Sequence, residues 1–143
     1  EYKSQELAND KFQHFCSCTT RRFDRILIDA PWSGTGVIGR HPDIRLNRRE
    51  KDLPGYAERQ LELLSAAAGV TSPGGVLVYA TCSIEPKENE AHFVNLPTGF
   101  ECVSPGDHLP AAMPWTGTDA GGVRILPHEH GDGFTVHALR RRS

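Results

Sequence analysis

The stretch that most constrains this chain is residues 23–36, FDRILIDAPWSGTG. Residues 25–28 are a short, largely apolar and β-branched run, which is typical of a strand covered on both faces of a sheet. Asp29 follows this run, and Pro31 has no N–H for a strand ladder, so the strand is predicted to end there. Ligands of open α/β sheets bind outside the carboxyl ends of the strands, and the glycine-rich turn that follows permits their close approach. Asp29 therefore marks a candidate site, although an acid that only caps the loop also fits this pattern.

A second stretch repeats the layout of turn, apolar strand and polar strand end. Residues 73–83 are PGGVLVYATCS, with the strand predicted over 76–80 and Cys82 just beyond it. A helix is predicted over 54–70, where apolar residues recur at helical spacing behind a proline that suits the first turn. A helix of this length can connect two parallel strands. The sequence thus predicts an α/β fold in which Asp29 and Cys82 reach the same edge of one sheet.

The remaining segments predict smaller elements. The polar segment 1–22 has no clear periodicity and is expected to be an edge segment. The predictions for the rest are a basic loop at 37–53, a helix at 86–95, a short strand at 100–103, a long irregular loop at 105–122 and a final antiparallel strand at 133–140.

Length and composition exclude several classes of protein. A chain of 143 residues fits one domain, and its net charge of −2 creates no general attraction for nucleic acid. No apolar run is long enough to span a membrane. Four cysteines in a chain of this size do not form a disulfide scaffold, and a cysteine at a strand end favours a reduced, cytoplasmic setting. The spacing Cys16-Ser17-Cys18 lacks a second pair of ligands, so no metal is expected.

Taken together and in this order, the two stretches resemble the RsmB/Nop/Sun family of RNA cytosine carbon-5 methyltransferases, which use S-adenosylmethionine. The matching strings are FDRILIDAP, SGTGVI, RHPDI, GGVLVYATCSIEPKENE and HGDGF, with a weaker middle between residues 95 and 124. The resemblance implies the later half of a Rossmann-like methyltransferase fold, with parallel strands, crossover helices and a final antiparallel strand. Residues 1–143 are then expected to be a partial catalytic domain, with the glycine-rich cofactor loop upstream. The implied partner is RNA, most simply ribosomal RNA.

The resemblance also assigns roles to individual residues. Cys82 in TCS corresponds to the nucleophile, and Asp29 to the acid that lies between the cofactor and the target base. Asp10 stands where the family has a second cofactor-binding acid, although a solvent-facing acid fits that position as well. Pro31 is expected to fix the backbone beside the substrate, and Arg40 lies in a basic segment that faces RNA in the family. His41 and His130 lie in matching strings and are expected to be structural.

The chemistry implied for Cys82 requires an activated thiol. Carbon 5 of cytosine is a poor nucleophile until a thiolate adds to carbon 6. A helix beginning after Cys82 would favour that thiolate through its N-terminal dipole. A small buried side chain is the other ordinary fate of a free cysteine, and the same reasoning assigns Cys16, Cys18 and Cys102 structural roles.

One position departs from the family pattern. Trp32 occupies the place of a second cysteine that is associated with release of the product, and an indole is neither a thiol nor a base. The large ring can instead stack on a base or fill the pocket. The sequence therefore leaves two other interpretations open. One is an RNA-binding domain that retains the fold without catalysis, and the other is a thiol hydrolase that pairs Cys82 with a histidine.

Overall fold

The fold is described from a computed structural model of the chain. It covers residues 2–129 and 131–143, and in the first helix it describes side chains only from Asp10 onward. His130, expected above to be structural, lies outside the described residues. The regular elements are α1 (Tyr2–Cys18), β1 (Phe23–Asp29), α2 (Ile44–Asn47), α3 (Leu53–Val70), β2 (Thr71–Thr81), β3 (Phe100–Val103), β4 (Thr116–Gly117), β5 (Val123–Ile125) and β6 (Phe134–Arg141).

The strands form one mixed sheet. Its order is β1-β2-β6-β5-β4, and β3 also pairs with β6. β1 and β2 are parallel, with Asp29 opposite Ala80, and α3 connects them. β6 runs antiparallel to β2. The predicted parallel pair, its crossover helix, the short strand at 100–103 and the final antiparallel strand are all confirmed.

The hydrophobic core lies between α3 and the sheet. Leu63, Leu64 and Ala67 of α3 are buried against Leu77 and Leu139 of the two central strands. Burying a large apolar side chain contributes about 1.5–3 kcal/mol, so this contact holds the crossover helix on the sheet. None of the helices in the described residues is long and apolar enough to cross a bilayer.

The prediction that β1 is covered on both faces is wrong for this chain. Ile28 is 5 % exposed, whereas the adjacent Leu27 is 69 % exposed. β1 lies at the edge of the sheet, and among the described residues only β2 pairs with it. α3 covers the face of Ile28, which leaves the opposite face open to solvent.

Two segments contain more regular structure than predicted. Most of segment 1–22 forms α1, which packs on α3 through a hydrogen bond from Gln13 Nε2 to Glu62 Oε2 (3.2 Å) and buries part of Phe12 against the core. The sequence of α1 is on average polar, whereas that of α3 is on average apolar, so the apolar content of segment 1–22 gives little sign of a packed helix. Segment 105–122 contains a 3₁₀ turn, Gly106–His108, and the short strand β4, so it is not wholly irregular.

The helix predicted over 86–95 is absent as an α-helix. Two 3₁₀ turns, Pro86–Glu88 and Glu90–Phe93, replace it, separated by Asn89 at φ −132° and ψ −97°. The Asn89 side-chain amide donates to the carbonyl oxygens of Ser83 (3.1 Å) and Glu85 (2.8 Å). An asparagine that bonds backbone groups in this way competes with helical pairing, so the chain breaks there.

Candidate active site

The two predicted site residues lie at the same edge of the sheet. β1 ends at Asp29 and β2 at Thr81, with Cys82 immediately after it. The strands remain paired to this point, since the Ala30 N–H donates to the Ala80 carbonyl oxygen (3.0 Å). The parallel register therefore brings Asp29 and Cys82 together, as the sequence predicts.

Backbone contacts join the loops that follow β1 and β2 to the segment before β6. The Gly36 N–H donates to the Cys82 carbonyl oxygen (3.0 Å), and the Gly133 N–H donates to the Gly36 carbonyl oxygen (2.7 Å). A Cβ atom on Gly36 would lie 2.6 Å from the Cys82 oxygen and 2.4 Å from the Gly133 oxygen. Only glycine allows three backbones to approach this closely, so Gly36 fixes the HGDGF segment against the Cys82 loop.

A fully buried carboxylate ties the same loops to α3. Glu88 Oε1 accepts hydrogen bonds from the Ser33 N–H (2.8 Å) and from Gln60 Nε2 (3.0 Å). Its Oε2 accepts from the hydroxyls of Ser33 and Ser83, both at 2.5 Å. Gln60 Nε2 also donates to the Pro31 carbonyl oxygen (2.6 Å). Glu88 thus holds the backbone after Asp29 and the backbone after Cys82 in one arrangement.

Polar side chains also fix the residues on either side of Cys82. The Thr81 hydroxyl donates to Asn89 Oδ1 (2.8 Å). The Ser83 carbonyl oxygen accepts from Asn89 Nδ2 (3.1 Å) and from the Thr135 hydroxyl (2.8 Å). Since Thr81, Ser83, Asn89 and Thr135 are all buried, these bonds are shielded from water and make the turn that carries the thiol rigid.

The surroundings of Cys82 oppose ionisation of its thiol. Partial burial raises the pKa of Cys82, and the negative charges of Asp29 and Asp132 raise it further. The expected helix N-terminus does not offset this effect, because a 3₁₀ turn follows Cys82 instead of an α-helix. The prediction that a helix dipole favours the thiolate is therefore wrong.

Arg40 pairs with an acid near this thiol, Asp132, that the sequence reasoning missed. Arg40 Nε lies 3.1 Å from Asp132 Oδ2, while the Arg40 side chain stays 69 % exposed. Asp132 is the acid of HGDGF, and Gly133 bonds the loop that carries Gly36. Neither Asp132 nor Glu88 follows a strand directly, so the strand-end pattern that points to Asp29 does not point to them. Their only sequence signal is their place in the family-like strings HGDGF and KENE.

Trp32 and Pro31 are packed into the loop after β1. Pro31 is buried and Trp32 is half-buried. Gly34 has a left-handed φ of +93°, and a Cβ atom there would lie 2.8 Å from the Trp32 ring and 2.6 Å from Ile44 Cδ1. The indole and the Ile44 side chain therefore flank Gly34 at the rim of the site.

The two acids that were expected to contact the cofactor lie on different elements, β1 and α1. Asp29 is exposed, and its carboxylate makes no hydrogen bond or ion pair with any described residue. Asp10 is exposed on α1, and no contact within the described residues joins it to Asp29 or Cys82. No described histidine hydrogen-bonds the Cys82 thiol, so the hydrolase interpretation gains no support from residues 2–129 and 131–143.

Comparison with known proteins decides the family. A family model described as "16S rRNA methyltransferase RsmB/F" matches residues 3–140. The chain belongs to the RsmB/F family. Among curated RsmB/F relatives, "Ribosomal RNA small subunit methyltransferase B" of Klebsiella pneumoniae subsp. pneumoniae is 47 % identical over 127 residues, which cover 87 % of this chain and 28 % of the relative. The protein of the same name from Pectobacterium atrosepticum is 48 % identical over 119 residues, covering 82 % of this chain and 26 % of the relative.

A solved structure agrees with the RsmB/F assignment. The crystal structure of NSun6 from Pyrococcus horikoshii with SFG superposes with a TM-score of 0.74 at 26 % identity, covering 92 % of this chain and 33 % of that one. The resemblance drawn from the sequence and the Rossmann-like α/β fold class are thus confirmed. The chain spans about a quarter of the length of the curated relatives it matches.

Proposed function

We propose that this chain supplies the catalytic thiol of a methyltransferase that transfers a methyl group from S-adenosylmethionine to carbon 5 of cytosine in ribosomal RNA. The observation that carries the proposal is the juxtaposition of Asp29 and Cys82 at the ends of two paired parallel strands. The names of the curated relatives support ribosomal RNA as substrate. The solved NSun6 structure contains SFG, an analogue of S-adenosylmethionine, which supports the cofactor.

Cys82 acts as the nucleophile in this proposal. Its sulfur bonds to carbon 6 of cytosine, which makes carbon 5 electron-rich. S-adenosylmethionine, when bound, supplies the methyl group that carbon 5 takes up. Loss of the carbon-5 proton to a base then restores the ring double bond, and the Cys82 sulfur leaves. The buried contacts of Thr81 and Ser83 hold the thiol at a fixed position throughout.

Asp29 fits the contact with the cofactor and the target base. Its exposed carboxylate has all its acceptor positions available within the described residues, so it can accept hydrogen bonds from a ligand. A carboxylate also stabilises a positive charge such as that of a sulfonium group. Asp10 is proposed as a second cofactor contact from its position in the sequence.

Arg40, Pro31 and Trp32 face the RNA in this proposal. Asp132 pairs with the Arg40 guanidinium, which stays exposed and can bind a phosphate of the target strand. Buried Pro31 fixes the backbone next to Asp29, and the Trp32 ring offers a flat surface against a base.

A covalent trap tests the proposal. RNA containing 5-fluorocytosine cannot lose a proton from carbon 5, so the protein that contains this chain should form a stable adduct with it in the presence of S-adenosylmethionine. Cys82→Ser should abolish the adduct seen on a denaturing gel, whereas Cys102→Ser, the same change at an exposed cysteine, should retain it. An adduct that survives Cys82→Ser would falsify the assignment of the nucleophile.

A non-catalytic RNA-binding domain is the second candidate. The observations that favour it are Trp32 in place of the release cysteine and the raised pKa of Cys82. This candidate predicts RNA binding that weakens as salt increases. It also predicts that no labelled methyl group reaches the RNA, and any transfer above that of Cys82→Ser rules it out.

A further inference from the structure

A cavity of about 540 Å³ opens next to the candidate active site. Ser33 and Thr35 from the loop after β1 line one side, and Glu85 and Pro86 from the segment after Cys82 line another. The volume is in the usual range of about 300–1,000 Å³ for ligand pockets. The cavity therefore adjoins both loops that carry the catalytic candidates.

The inner wall of the cavity is apolar, and in it an arginine side chain lies over a tyrosine ring. Ile38, Ile44, Leu53 and the ring of Tyr56 contribute to it. The Arg48 guanidinium lies 5.5 Å from the centre of the Tyr56 ring, and its Nε donates to the Ser33 carbonyl oxygen (3.2 Å). Aromatic rings and guanidinium planes are surfaces on which nucleic-acid bases stack.

The lining carries more basic than acidic side chains. It includes Arg45, Arg48, Arg49 and Lys87, against Glu50, Asp52 and Glu85. Two of the acids have local partners, because Glu50 lies 3.5 Å from the Lys87 amine and Asp52 accepts from the Arg49 N–H (2.9 Å). Arg45 and Arg49 are exposed, which suits contacts with phosphate groups at the rim.

We propose that this cavity binds one nucleotide of single-stranded RNA adjacent to the target cytosine. The base stacks against the apolar wall, and its phosphate lies near Arg45 and Arg49. The Trp32 ring and Ile44 both flank Gly34, and Ile44 also lines the cavity, so the indole adjoins the cavity on the side of the loop after β1. This site rests on the proposed function for the identity of its ligand.

The test measures RNA binding and methyl transfer separately in the protein that contains this chain. The probe is a fluorescein-labelled single strand of about nine nucleotides with one central cytosine among adenines. Two further strands each carry an abasic nucleotide, one on the 5′ side of the cytosine and one on its 3′ side. The abasic nucleotide should raise Kd about tenfold in one of these strands and leave Kd unchanged in the other. Ile38→Trp, which narrows the cavity, should raise Kd for the intact strand by a similar factor and remove the abasic effect. Leu46→Trp is the matched control, since Leu46 is 84 % exposed and does not line the cavity.

Each outcome decides the proposal. Equal Kd for intact and abasic strands, an abasic effect that persists in Ile38→Trp, or no binding of the strand would each overturn the cavity as a nucleotide site. Thermal unfolding of both tryptophan variants checks that Ile38→Trp remains folded, and Ile38→Phe replaces it where it does not. If the abasic effect is present but no methyl group is transferred, the nucleotide site stands and the proposed function fails.

Discussion

At the scale of single residues, Cys82 is surrounded by charges that oppose its ionisation. Burial raises the pKa of its thiol, and Asp29 and Asp132 raise it further, so the thiol is mainly protonated near neutral pH. Thiolates rather than thiols act as nucleophiles. Neutralising either neighbouring carboxylate would therefore favour the thiolate form of Cys82.

Asp132→Asn is predicted to lower the pKa of Cys82. Removing one carboxylate charge eliminates a cause of the upward shift, so more thiolate is present at any pH below that pKa. The rate of Cys82 alkylation by iodoacetamide at pH 8 should rise roughly three- to tenfold, measured by mass spectrometry of the Cys82 peptide. Cys102, whose pKa is raised by burial alone, provides an internal control. An unchanged Cys82 profile would contradict the electrostatic role of Asp132.

At the scale of secondary structure, sequence predicts the elements whose signals are local. β1, β2 and α3 follow from apolar runs bounded by proline and glycine. The bounds of α3 match the prediction closely, whereas β2 begins at Thr71, five residues before the predicted start, so the expected turn at 73–75 is part of the strand. The segment 86–95 is different because its conformation depends on the tertiary contacts of Glu88 and Asn89. The Glu88 carboxylate meets Ser33, which is distant in sequence, and no periodicity reports such a contact.

Glu88→Ala is predicted to destabilise the junction of the two catalytic loops with α3. The change leaves the buried Ser33 N–H without its acceptor and removes the carboxylate that accepts from the Ser33 and Ser83 hydroxyls, while Gln60 keeps its bond to Pro31. The loss should cost about 3 kcal/mol or more in the free energy of unfolding. Glu88→Gln should cost less, because its amide can still pair with the two serine hydroxyls. Urea denaturation measures both values.

Lys87→Ala is the matched control for that experiment. Lys87 is exposed in the same turn, and its ion pair with Glu50 lies at the surface. Exposed pairs contribute about 0–1 kcal/mol, so its midpoint in urea should stay near that of the parent protein. Equal losses in Lys87→Ala and Glu88→Ala would show that the turn, and not the buried carboxylate, sets stability.

At the scale of the whole molecule, the site is assembled from three segments that are far apart in sequence. The sequence predicts Asp29 and Cys82 together because parallel strands deliver their carboxyl ends to one edge. Asp132 reaches the same place only because the Gly133 and Gly36 backbones pair, which is a property of packing. The exposure of Leu27 on β1 likewise depends on which elements pack beside the strand. The sequence of residues 23–29 alone therefore does not predict that exposure.

The packed core also sets how stability depends on pH. His92 and His137 are buried in an aromatic cluster, where Phe93 stacks on His137 with ring centres 4.2 Å apart. Burial lowers the pKa of each histidine to about 4, and Arg124 and then His92 add to the effect on His137. A histidine with a lowered pKa binds fewer protons in the folded than in the unfolded chain. Its contribution to stability is therefore complete above pH 6.5, the unfolded value, and is lost as the pH falls toward 4.

His92→Gln is predicted to flatten this acid dependence. Glutamine does not titrate and can still donate to Gln60 Oε1, which lies 2.8 Å from His92 Nε2. Between pH 6.5 and 4 the parent protein should therefore lose about 2 kcal/mol more unfolding free energy than the variant. His41→Gln makes the same change at an exposed histidine outside the core and serves as the matched control. Carboxylates contribute equally to all three proteins, so the difference in slope reports His92 together with its effect on the pKa of His137. Identical slopes in urea titrations across this pH range would mean that His92 binds its proton over the same pH range in the folded and unfolded chains, which contradicts the lowered pKa.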